Sequence, residues 1–125
     1  MDNKGFQQYK DQAIHTMTQG ELLLLLYDEL VKRLLRAGMA LEKENYQVFE
    51  ASVDRSVEII RYLDSTLDMK YEISGNLHKM YDFFCYELAR VKFGRNQTEL
   101  DRVRGMVGEL RDSFREADRK NSSGK

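Results

Sequence analysis

The stretch Thr18-Gln19-Gly20-Glu21-Leu22-Leu23-Leu24-Leu25-Leu26-Tyr27-Asp28 decides how the rest of this chain is read. Thr18, followed three residues later by Glu21, is a capping box: the hydroxyl accepts from the Glu21 amide while the carboxylate reaches back to the cap. The five leucines behind it are the body of a helix and not a membrane span. A bilayer needs about 20 apolar residues, and here Asp28, Glu29, Lys32 and Arg33 follow at once. At about 100° per residue, five consecutive leucines point all the way round the helix. One face can enter the protein's own core. The opposite face needs cover from another segment or from a partner, so a binding groove is the first thing to look for.

Working outward, this first helix extends to about Lys43 with Leu23, Leu26 or Tyr27, Leu30, Leu34 and Leu41 on one face, and Gly38 marks a place for close packing. Asn45 is the next cap. Phe49, Val53, Val57, Ile60, Leu63 and Leu67 then form a helical stripe that should end near Lys70. Ser74-Gly75-Asn76 opens a third helix, whose core row is Leu77, Tyr81, Phe84, Leu88 and Val91 and whose natural C-terminal cap is Gly94. Asn96-Gln97-Thr98-Glu99 repeats the capping logic, and Leu100, Val103, Val107, Leu110, Phe114 and Ala117 give the narrow seam of a bundle. Short connections between such helices make antiparallel neighbours. The expected fold is all-α, an antiparallel up-down four-helix bundle over 18–119. A flexible N-terminal arm over 1–17 precedes it and a disordered tail over 120–125 follows.

Composition narrows the function. The chain has 125 residues, enough for one domain with a real core, and it is 42% hydrophobic and 33% charged with no proline. Twenty basic residues against 21 acidic ones leave a net charge of -1, so no global field draws nucleic acid or an anionic membrane. Cys85 stands alone, which rules out an intrachain disulfide and fits a reducing compartment. The opening Met1-Asp2-Asn3-Lys4-Gly5 has no apolar stretch of the secretory kind, so the expected location is cytoplasmic.

No catalytic constellation emerges. His15 and His78 belong to no Glu-x-x-His pair, which removes the signature of a di-iron bundle. A metal held by His78 and Cys85 would need ligands two helical turns apart. A surface imidazole and a buried thiol are the plainer reading, and neither metal nor cofactor is expected. Lys79 beside His78 keeps open a histidine phosphotransfer bundle, though no small residue follows to admit a phosphoryl group. Arg90, Lys92, Arg95, Arg102 and Arg104 are diluted by Glu87, Glu99 and Asp101 and read as a solvated, salt-bridged face. What remains is surplus apolar surface. Leu24, Leu25, Tyr27, Val31, Tyr62, Met80 and Phe83 are assigned to a groove bordered by the first three helices, where Met and aromatic side chains suit a partner's amphipathic segment. A homodimeric assembly or regulatory bundle, closed through Leu22–Leu26, would use the same surplus.

The residues also resemble a family. Tyr9-Lys10-Asp11-Gln12-Ala13-Ile14-His15-Thr16-Met17-Thr18-Gln19-Gly20-Glu21-Leu22, followed by Leu26-Tyr27-Asp28, is similar to the opening signature of the flagellin export chaperones, the FliS family. The likeness continues in order through Ile59-Ile60, Leu67-Asp68, Leu77 and Met80-Tyr81-Asp82-Phe83 to Leu110-Arg111-Asp112-Ser113-Phe114. Gln19 stands where the family usually has proline, Glu29 where a small residue is usual, and Phe114 where tryptophan is usual. The resemblance implies a cytoplasmic chaperone that binds the disordered C-terminal segment of flagellin and prevents its premature polymerisation. It also implies an N-terminal arm that covers apolar surface until the client displaces it, with Tyr9, Ile14 and Met17 as the residues able to do so. The implied partners are the flagellin C-terminal segment and a flagellar co-chaperone or regulator, on a monomer or weak dimer.

Overall fold

Residues 17–123 are described in the computed structural model of the chain, with side chains described as far as Lys120. The described chain is helical: α1 (Gln19–Glu42), α2 (Tyr46–Ser65), α3 (Glu72–Gly94) and α4 (Gln97–Ser123). α1 packs against α2 and α4, and α3 packs against the same two, so the helices form a ring in which α1 and α3 are diagonal. The brief connections at 43–45, 66–71 and 95–96 return each helix antiparallel to the one before.

The periodic rows meet at the centre. Tyr27, Leu30 and Leu34 of α1, Phe49, Val53, Ile60 and Leu63 of α2, Phe84, Leu88 and Val91 of α3, and Leu100, Val103 and Val107 of α4 are all buried. Each such side chain contributes about 1.5–3 kcal/mol of transfer free energy. Gly38 works as expected: a Cβ there would lie 3.2 Å from the Gln97 amide nitrogen and 3.8 Å from Leu100, so its absence lets α1 and α4 approach closely.

Thr18 accepts from the Glu21 amide at 3.1 Å, Asn45 from Val48 at 3.3 Å and Asn96 from Glu99 at 3.0 Å, each as the capping pattern requires. Four boundaries differ from the sequence reading. α2 ends at Ser65 instead of near Lys70, because the hydroxyls of Ser65 and Thr66 donate to the carbonyls of Tyr62 and Leu63 and close the last turn. α3 opens earlier, at Glu72, behind an extended Tyr71 with no side-chain cap bond, so Ser74, Gly75 and Asn76 lie inside its first turns. Arg95, not Gly94, closes α3 in the left-handed region at φ 52°, and its guanidinium lies 3.5 Å from the centroid of the Tyr46 ring, an attraction that offsets the backbone cost. α4 continues to Ser123, past the expected end at Arg119, since no glycine or proline lies between Arg119 and Gly124. The α4 seam fades toward that end. Leu110 and Phe114 are half-buried and Ala117 is exposed.

Candidate functional site: an apolar hollow at one end of the bundle

Antiparallel order brings the start of α1, the end of α2, the start of α3 and the end of α4 to the same end of the bundle. There the helices leave a hollow of about 400 Å³. Buried Leu63, Leu77 and Tyr81, with half-buried Phe114, make its floor. Leu22, Leu23 and Leu26 from the leucine run and Leu67 after α2 make its walls. The rim is aromatic and aliphatic and faces solvent: Tyr62 is 50% exposed, Tyr71 57% and Ile73 60%. Met69, in the same connection, is exposed beside them. Gln19, Gly20, Thr66, Asp68 and Ser74 supply a polar edge.

The floor is held by ring packing and one hydrogen bond. Phe114 stacks on Tyr27 with centroids 5.4 Å apart and planes 29° apart. The Tyr27 hydroxyl shares a 2.5 Å hydrogen bond with that of Tyr81, crossing the diagonal of the bundle. Burial, reinforced by the neighbouring phenol, pushes Tyr27 well above the ordinary tyrosine range, and burial also raises Tyr81. Both rings therefore present neutral hydroxyls, already paired with each other. The hollow offers dry apolar area with adaptable leucines and flat rings, which is the chemistry of recognising an apolar helix or segment.

The structure separates the residues that the sequence reading had grouped. Of the seven assigned to a groove, Tyr62 lines the hollow. Tyr27 has no exposed surface and acts from beneath the floor, so it cannot touch a client while the bundle is intact. Leu24 and Val31 are half-buried and Leu25 is 39% exposed, all outside the hollow lining. Met80 and Phe83 are half-buried against the core on α3, where the Arg102 guanidinium of α4 lies 5.8 Å from the Phe83 centroid. Periodicity placed Leu23 and Leu26 in the core row, yet they also form the walls. Tyr71 and Ile73, which carry no local signal in a sequence whose third helix opens at Ser74, flank the actual start of α3 at Glu72 and line the rim. Of the arm residues, Met17 is half-buried just before the cap, while Tyr9 and Ile14 lie outside the described residues.

Arg90 pairs with Glu87, Arg102 with Glu99 and Arg104 with Asp101, giving the salt-bridged face expected at the α3–α4 turn. Cys85 is half-buried and burial pushes its thiol up, which makes it a poor nucleophile. His78 is not an ordinary surface imidazole: Nδ1 lies 2.7 Å from Asp64 and Nε2 lies 3.4 Å from Asp82. The bond to Asp64, then the charges of Asp64 and Asp82, raise its pKa.

Known proteins are similar to this chain in architecture and in sequence. Residues 1–121 match the family described as flagellar protein FliS. The chain is 28% identical over 109 residues to the flagellar secretion chaperone FliS of Bacillus subtilis (strain 168), covering 87% of this chain and 82% of that protein. It is 24% identical over 121 residues to the protein of the same name from Escherichia coli (strain K12), covering 91% and 89% of the two. A crystal structure of a flagellar chaperone from bacteria superposes with a TM-score of 0.76 at 18% identity, covering 96% of this chain and 99% of that one. The family match spans nearly the whole chain, and this protein belongs to the flagellar protein FliS family.

Proposed function

We propose that this protein is a flagellar secretion chaperone whose client is the disordered C-terminal segment of flagellin, and that the hollow takes apolar residues of that segment. Membership of the FliS family makes it a chaperone and not an enzyme. The observation that carries the site is the hollow itself: about 400 Å³ of apolar space, walled by the leucine run and rimmed by exposed Tyr62, Tyr71 and Ile73. A disordered client loses entropy on ordering and recovers it by burying apolar area against such a surface. Holding the segment in the cytoplasm before export keeps its polymerising residues covered. No helix among the described residues is long and apolar enough to cross a membrane.

The arm fits the same reading. The sequence before Thr18, which carries Tyr9 and Ile14, leads into Gln19 and Gly20 on the polar edge of the hollow. An arm that occupies the site part of the time lowers apparent client affinity by the fraction of time the site is closed. Calorimetric titration with a synthetic flagellin C-terminal peptide tests the proposal. Saturable one-to-one binding with a negative heat-capacity change is expected, and deletion of residues 1–14 should change the affinity. A peptide that does not bind removes the proposal. The phosphotransfer reading loses ground, because the Asp64 and Asp82 carboxylates beside His78 would repel an incoming phosphoryl group.

A further inference from the structure

We propose that His78 and Asp82 form a binding site for a divalent transition metal of the zinc class, with Asp64 as the residue that positions the histidine. Three observations meet here. His78 and Asp82 are four residues apart on α3, so they share one helix face and open to the same solvent. The distance from His78 Nε2 to Asp82 Oδ2 is 3.4 Å. Two ligands of a tetrahedral zinc ion with bonds of about 2.0–2.1 Å are separated by roughly 3.3 Å, so the spacing of the pair matches that of two zinc ligands. On the other side of the ring, Asp64 of α2 sits 2.7 Å from Nδ1. A carboxylate that accepts Nδ1–H fixes the tautomer, aims Nε2 outward and makes it more basic, which is the usual support behind a metal-bound histidine.

One donor atom from each of Asp64, His78 and Asp82 lies within 4.8 Å of the others, a convergence that the sequence hides by placing Asp64 on a different helix. The metal reading rejected from sequence joined His78 to Cys85, two turns away. The folded chain joins it to Asp82, one turn away, and to the neighbouring helix. Imidazole nitrogen with carboxylate oxygen selects zinc, cobalt or nickel over magnesium or calcium, which prefer all-oxygen shells. Water completes the coordination of a site this open: the Asp82 side chain is 70% exposed. Leu63 and Leu77, the residues just before Asp64 and His78, lie in the floor of the hollow, so a bound ion sits at the α2–α3 corner beside it.

Calorimetry of the metal-stripped full chain with Zn²⁺, and visible absorption with Co²⁺, tests the assignment. The wild type should bind one equivalent of Zn²⁺ with sub-millimolar affinity, and Co²⁺ should bind the same site with the weak visible bands of a largely hydrated ion that Zn²⁺ displaces. His78→Ala and Asp82→Asn should abolish that binding, the second without loss of helicity because Asp82 is a surface side chain. Asp64→Asn should retain binding but weaken it by about 10–100-fold. Cys85→Ser should bind as the wild type does. Binding that survives Asp82→Asn, disappears in Cys85→Ser, or never saturates in the wild type overturns the site. An unchanged affinity in Asp64→Asn overturns the positioning role.

Discussion

Tyr27 and Tyr81 lie 54 residues apart in sequence and come from helices on opposite corners of the ring, yet their hydroxyls are paired at the centre. Tyr27→Phe removes one partner and strands the Tyr81 hydroxyl in a dry site, so it should cost about 1–3 kcal/mol in urea unfolding. Tyr27→Phe with Tyr81→Phe should cost less than the two single changes added together, a coupling that a double-mutant cycle measures. The same burial carries a pH dependence. The folded phenol of Tyr27 holds its proton above the ordinary tyrosine value of 10.0, where the unfolded phenol releases it. The native state then binds more protons than the unfolded one, so stability is intact below pH 10 and falls as pH rises beyond it, which unfolding midpoints across that range will show. Sequence periodicity allowed either Leu26 or Tyr27 in the core row and could not tell which had a partner across the bundle. The pattern therefore leaves Tyr27 open to the core row and to the groove, and it hides the Asp64–His78 contact for the same reason: nothing local announces a partner on another helix.

Helix ends divide by whether a side chain makes them. Thr18, Asn45 and Asn96 cap through oxygen atoms that are visible in sequence, and each lies where the pattern put it. Asn96→Ala should therefore cost about 0.5–2 kcal/mol, read as a lowered denaturant midpoint with an unchanged slope. The start of α3 escapes because Tyr71 caps without a side-chain bond, and the end of α2 escapes because Ser65 and Thr66 stop it by bonding backward to carbonyls. Both ends flank Tyr71 and Ile73, which lie on the rim of the hollow. Along α4 the strict seam is real but graded. Leu100→Ala, at a fully buried position, should cost about 2–5 kcal/mol. Leu110→Ala, half-buried, should cost less in the same unfolding measurement.

On the scale of the whole molecule, the surplus of apolar residues draws attention to the leucine run, which walls the hollow. Its direction was not legible. A run that points everywhere round its helix gives no hint of which side stays open. That side is decided by where α2 ends, how the 66–71 connection crosses the bundle and how far Phe114 of α4 reaches over Tyr27. The sequence pattern points to the flanks carrying Leu25 and Phe83, whereas the proposed site is the hollow at the end carrying Leu22, Leu26, Tyr62 and Ile73. The most direct test is calorimetric titration of the flagellin C-terminal peptide into wild type, Ile73→Glu and Leu25→Glu, with circular dichroism confirming helicity. Both substituted positions are exposed, so each charge should leave the fold intact. The account predicts that Ile73→Glu weakens binding at least tenfold, about 1.4 kcal/mol, while Leu25→Glu binds as the wild type does. Wild-type affinity in Ile73→Glu together with a tenfold loss in Leu25→Glu would contradict it and put the client on the outer face of α1.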